Sequence, residues 1–355
     1  MLRALKILLI IFATSIAATP LPRDRVEIVY SRSIYPEIQR RLTSVSNPSS
    51  FAWFDLIVGL SVVAALFAIA GLFARGKRGF IRSFVTMVIN LGALASILYL
   101  WFLAVWGLNY QRQPLRSQLD YDDRRVTVEA LRELANRDVA MLNQNYAEAH
   151  RVGWPPYEQT PAALGPAFAA AQRDLGITWN VVPGRPKRTL ADLYFRRVSV
   201  EGMTDPFFLE TLANSSLLPF ERPFVVAHEW SHLAGFADES EANFVAWLIC
   251  MRAPVPVQYS AWLSLYGTIV HALPQTDRDA IAHTLESGPR ADLQAIVERI
   301  RQQQSPAASR ASYAAYDKFL KANRVEAGIR SYDEVIRLLT GSRFTTEGKP
   351  VLRSQ

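Results

Sequence analysis

Two long stretches of this chain carry no charge, and they limit what it can fold into more than any other feature. Leu56 to Ala74 and Ser83 to Leu108 are each long enough to cross a bilayer. Helices buried in a soluble core rarely reach such length without a charge. Between the runs, ARGKRGFIR puts Arg75, Lys77, Arg78 and Arg82 into one short connection. That loop, residues 75–82, is expected in the cytoplasm, so that the chain beyond Leu108 emerges on the opposite side. Tyr99, Trp101, Trp106 and Tyr110 close the second run with the side chains that favour a membrane interface. Ahead of both runs, residues 1–19 carry Arg3 and Lys6, then an apolar run from Ile7 to about Ala18. They suit a signal peptide or a first transmembrane anchor with its amino terminus inside. Residues 20–55 follow as an extracytoplasmic segment in which YPEIQRRLTSVSN forms a short amphipathic piece.

Charge supports the same division. Eleven of the 39 basic residues but only four of the 32 acidic ones precede Asn109, so the whole net charge of +7 accompanies the apolar segments. The remainder, residues 109–355, is balanced and offers no basic face for nucleic acid. One cysteine, Cys250, excludes an intrachain disulfide framework and any cysteine-rich zinc site. Its apolar setting predicts a buried, inert thiol.

The chemistry concentrates in FVVAHEWSHLAGFADESEANFVAWLIC, Phe224 to Cys250. His228, Glu229 and His232 form an H-E-x-x-H pattern in an apolar run, with Pro223 suited to a first helical turn and Gly235 to a helix end. On a helix, residues four apart share a face, so both imidazoles can reach one ion. Zn²⁺ accepts neutral imidazole nitrogen, and Glu229 stands where a general base is needed. A second helix starting near Asp238 brings Asp238, Glu239 and Glu241 as candidates for a third ligand. Asp238 is favoured as the N-cap of that helix.

Around this centre the pattern is mainly helical: Val126 to about Val152, an Ala-rich stretch from about Pro161 to Leu175, then 258–272, 277–287, 290–303, 309–322 and 331–340. ITWNVVP and VSVEGM have β-type composition. Tyr313, Tyr316, Tyr332 and His271 are candidate donors to an oxyanion. His150 and His283 have no companions in sequence and take no role.

YPEIQRRLTSVSN, WGLNYQRQPL, HEWSHLAGFADESEANF and YDKFLKANRVEAGIRSYDEVIRLL together resemble a domain-of-unknown-function family of bacterial membrane proteins regarded as zinc metallopeptidases. E-S-E-A-N is similar to the second helix of gluzincin peptidases, E-x-x-A-[DN]. That resemblance implies Zn²⁺ held by His228, His232 and Glu239, with Glu229 catalytic and Asn243 oriented on an imidazole where many gluzincins have Asp. It also implies a substrate-binding edge strand beside the metal, for which Phe208 to Ser215 is the candidate. Helical geometry agrees on the ligand, because Asn243 lies one turn beyond Glu239 and shares its face while Glu241 points away. H-E-x-x-H-x-x-G-x-x-D also resembles a metzincin pattern with Asp238 as ligand, but no Met-turn follows.

The expected protein is therefore an α+β, mainly helical zincin-like domain preceded by transmembrane helices. It would sit in a bacterial inner membrane with residues 109–355 outside the cytoplasm, acting on a peptide or protein. The alternative is a non-catalytic, zinc-stabilised binding or signalling domain.

Overall fold

Several helix-forming runs open on proline, and the computed structural model, which describes residues 1–73, 79–325 and 334–353, is mainly helical. The first helix, α1 (Leu2–Ala18), is followed after a bend of 109° by α2 (Arg23–Ser46). A π-helical stretch, Val26–Ile34, sits inside α2 and turns Glu27, Tyr30 and Ser31 inward. Then come α3 (Trp53–Phe73) and α4 (Phe80–Val105), two helices long and apolar enough to cross a membrane. They start three residues before the uncharged runs, because Trp53, Phe54 and Phe80, Ile81 extend each first turn. Within the connection, residues 74–78 lie outside the described residues, and Arg82 falls on α4. Helix α1 runs beside α4, where Arg3 donates to Thr86 Oγ1 at 2.5 Å and Lys6 to Asn90 Oδ1 at 2.6 Å.

The rest of the chain contributes α5 (Val128–Val152), α6 (Thr160–Asp174), β1 (Pro186–Lys187), α7 (Asp192–Val198), β2 (Gly202–Thr204) and β3 (Thr211–Ala213). It continues through α8 (Arg222–Leu233), α9 (Glu239–Met251), α10 (Val255–Ala272) and α11 (Gln275–Thr284). The last helices are α12 (Ser287–Gln303), α13 (Pro306–Ala322) and α14 (Val335–Gly341). Part of the 331–340 expectation, residues 331–333, lies outside the described residues.

The three strands form one sheet in the order β1-β3-β2, with β1 parallel and β2 antiparallel to β3. Here the β-type readings need correction. ITWNVVP contains no strand, and from VSVEGM only Gly202 and Met203 join one. DLYFRRV, with its aromatic and branched residues, is helical as α7 because Phe195 and Val198 then share one buried face.

Helices α8 and α9 lie at the centre, packed on each other and enclosed by α6, α10 and the sheet. Trp230, Phe244, Tyr259 and Trp262 fill this core. The core does not begin at Asn109. Val26, Tyr30, Tyr35, Phe102, Leu103, Val105 and Trp106 belong to the same apolar cluster. Trp106 and Tyr110, read as interfacial aromatics, pack on the domain instead; Trp106 is 5% exposed.

Polar links reinforce that continuity. The last carbonyls of a helix have no intrahelical donor. At the end of α8 the following turn supplies some of those donors, Gly235 N to His232 O among them, and segments earlier in the chain supply others. Trp106 Nε1 donates to His232 O at 3.2 Å, Tyr35 Oη to Leu233 O at 2.9 Å, and Arg112 Nη1 to Gly235 O at 2.9 Å. Arg112 is itself paired at 2.9 Å with Glu27 from the π-helical stretch. Burial works against the Glu27 charge, but the Arg112 guanidinium outweighs it and holds the carboxyl below its ordinary range. Lys187 and Glu210 form a second buried pair at 2.6 Å, and Glu210 Oε2 accepts from Phe54 N in the first turn of α3.

Candidate metal centre

The site is built by one turn of chain between two helices. Gly235 ends α8 with φ +89, a conformation that suits glycine, and an added Cβ would come within 3.3 Å of Arg112 and Tyr35. Asp238 then caps α9, its Oδ1 accepting from Ser240 N and Glu241 N. This sharp return sets the start of α9 against the histidine face of α8.

The return brings Glu239 to the two imidazoles. His228 Nε2 and His232 Nε2 lie 3.1 Å apart, and Glu239 Oε2 is 3.2 Å from the first and 3.5 Å from the second. Among the described residues these three are the group of ligand-type side chains converging on one point. Asp238 and Glu241 do not join them. The first is the cap, and Glu241 Oε1 accepts from Leu115 N at 2.6 Å on the far side. Burial, with Asp238 nearby, pushes Glu241 up to about 8.

The donor set suits a cation. Asn243 Oδ1 accepts from His228 Nδ1 at 2.9 Å, and Phe236 O accepts from His232 Nδ1 at 2.7 Å. Those bonds place the imidazole protons on Nδ1, so both Nε2 atoms present lone pairs. Two lone pairs and a carboxylate oxygen then face one another, and Glu239 Oε2 is buried without a hydrogen bond. Such a cluster is repulsive unless a positive charge stands inside it. Tetrahedral Zn²⁺ with bonds near 2.1 Å would separate its ligand atoms by about 3.4 Å, close to the 3.1, 3.2 and 3.5 Å seen here. In the protein alone the same demand falls on a proton. Burial opposes charge on His232, yet Glu239 and Glu229 overcome it and raise the ring to about 9.

Glu229 projects beside the cluster, 3% exposed. Thr204 Oγ1 donates to its Oε2 at 2.9 Å, and β2 crosses so closely that a Cβ on Gly202 would lie 2.5 Å from its Oε1. Burial lifts the Glu229 carboxyl above its ordinary range, against the pull of both histidines. The strand beside Glu229 is thus β2, not the expected Phe208–Ser215, whose β3 is the central strand. Asn214 N bonds Glu201 O and Asp205 N bonds Glu210 O. That register leaves the N–H and C=O of Gly202 and Thr204 directed to the outer edge.

Of the candidate oxyanion donors, Tyr316 reaches the site from α13, but its hydroxyl donates to Glu239 Oε1. Tyr313 is on the exposed side of α13, and His271 Nδ1 donates to Gly267 O within α10. Tyr332 lies outside the described residues. His150 pairs with Asp292 in a separate aromatic cluster. Thr204, Gly202 and Tyr110, which stands beside Glu239 and Tyr316, were not anticipated. Tyr110 sits in the WGLNYQRQPL junction among side chains that favour an interface, whereas Thr204 and Gly202 carry no local signal.

The chain matches the family described as "Protein of unknown function (DUF3810)" over residues 30–340. It belongs to that family. DUF3810 is a description without chemistry, and neither a curated protein nor a solved structure matches the chain. The DUF3810 match starts within α2 and ends in α14, so it takes in the two membrane-length helices together with the histidine pair.

Proposed function

We propose that this chain is a membrane-anchored zinc metallopeptidase of zincin-like construction. The observation that carries the reading is the meeting of His228, His232 and Glu239 at one point with the buried carboxylate of Glu229 alongside. His228, His232 and Glu239 would hold Zn²⁺ in a three-residue set that leaves a position open. Bound there, the ion would polarise a peptide carbonyl and acidify water.

The chain's own residues supply the rest. Glu229 Oε1, with Oε2 engaged by Thr204, takes a proton from water and returns it to the departing amine. Asn243 and the Phe236 carbonyl fix the tautomer and orientation of the two imidazoles. Gly202 and Thr204 offer backbone groups at a sheet edge, where an extended peptide can add as a further strand. Gly202 has to be glycine for this strand to pass over Glu229.

Glu229→Gln is the test, because the amide keeps shape and removes the base. The full-length variant should bind zinc like the parent, measured by elemental analysis. Its cleavage of a peptide library should fall by roughly 10²–10⁴-fold. Unchanged cleavage would overturn the mechanism. A parent that binds zinc and cleaves nothing would favour a non-catalytic, zinc-stabilised domain.

A further inference from the structure

Where α3 enters the domain, the short helix α7 turns an apolar face outward. Asp55 is the sole charged residue of α3 and immediately precedes its uncharged run. Its carboxylate accepts from Leu190 N at 3.0 Å and from Thr189 Oγ1. The segment leading into α7 is therefore fastened at the level where α3 becomes fully apolar. The inner face of α7 is satisfied, since Ala191 and Phe195 pack with Ala52, Phe54 and Leu212. The outer face is open at its side chains' apolar parts: Leu190 is 88% exposed, Leu193 59%, and Tyr194 54% with its hydroxyl bonded to Ser312 of α13. Arg188 and Arg197 are exposed on the same short segment.

We propose that this face docks on the surface of an anionic bilayer. Its apolar side chains rest in the interfacial layer and its two arginines lie among the headgroup phosphates. The surface continues from a helix of membrane length, and clustered apolar and basic side chains are the combination such a layer accepts. Its exposed apolar side chains are poorly suited to open water and its arginines to the hydrocarbon core, so the headgroup layer is where both are met. The inference is independent of the chemistry at the metal centre.

Spin labelling of the full-length chain in vesicles of phosphatidylethanolamine and phosphatidylglycerol tests it. Labels are placed singly by Leu190→Cys and Leu193→Cys, the native Cys250 being buried. Phe67→Cys, on the exposed surface of α3, gives the lipid reference. Asp279→Cys, on α11, which packs on α5 and α10, gives the water reference. Collision with oxygen relative to a nickel chelate should rise several-fold at both α7 positions over Asp279→Cys, toward the value at Phe67→Cys. A ratio equal to that at Asp279→Cys overturns the proposal. Labels shielded from both reagents would also overturn it, because a protein partner would then cover the face.

Discussion

At the scale of single residues, three acidic side chains compete for one role and the backbone separates them. Glu239 meets the imidazoles, Asp238 is spent on the cap and Glu241 on Leu115 N. Glu239→Ala should therefore lose zinc. Asp238→Ala should keep it while losing about 1 kcal/mol of stability with the cap. Glu241→Gln should also keep it, since the amide can still accept from Leu115. Metal content of the purified variants decides, and zinc retained by Glu239→Ala alone would reassign the ligand. Asp138 poses a different question. It is fully buried on α5, neither oxygen finds a hydrogen bond, and burial raises its carboxyl well above the ordinary 3.8. A raised folded value means that the native state holds the proton longer than the unfolded chain. Stability is then lost as pH climbs above about 4, by up to about 1.4 kcal/mol per pH unit while the native group stays protonated. Asp138→Asn removes that dependence. Its melting temperature should exceed the parent's by more at pH 8 than at pH 5, and an equal difference would contradict the assignment.

At the scale of elements, what the sequence revealed depended on how local the signal was. The histidine spacing, the glycine turn and the Asp238 cap are events within a single turn, and each was legible. The long helices were legible by their period. Helix α7 was not, because seven residues are too few to show a period and their composition looks β. The edge role of β2 was hidden for another reason: sheet order is set by packing on α8, not by strand composition. Orientation also belongs to this scale. Arg3 and Lys6 bond to Thr86 and Asn90, which places them at the end of α4 that carries Arg82. Basic residues collected at one end favour the cytoplasm, so the opposite end, with the metal centre, would lie outside. A periplasm-dependent reporter fused after Asn109 should be active, and one fused within residues 75–82 silent. The reverse pattern would invert the placement.

At the scale of the whole molecule, the carbonyls that end α8 carry a consequence for any attempt to separate the metal centre from the membrane-length helices. Tyr35 and Trp106 precede Asn109, and both donate to the helix that bears the histidines. A chain begun at Asn109 leaves Leu233 O without its donor, takes the Trp106 donor from His232 O, and removes Tyr35, Phe102 and Trp106 from the interior. Each unsatisfied buried group costs about 1–3 kcal/mol, and each lost aromatic about 3–5 kcal/mol, against a total stability of about 5–15 kcal/mol. The truncated chain should therefore fail to fold, seen as lost near-ultraviolet circular dichroism and lost zinc. A folded, zinc-loaded fragment would contradict this. Many surface enzymes are regulated by shedding, in which a protease frees an active ectodomain. Here a cut near Asn109 would destroy what it released, so whatever the metal centre does would stay with the uncut chain.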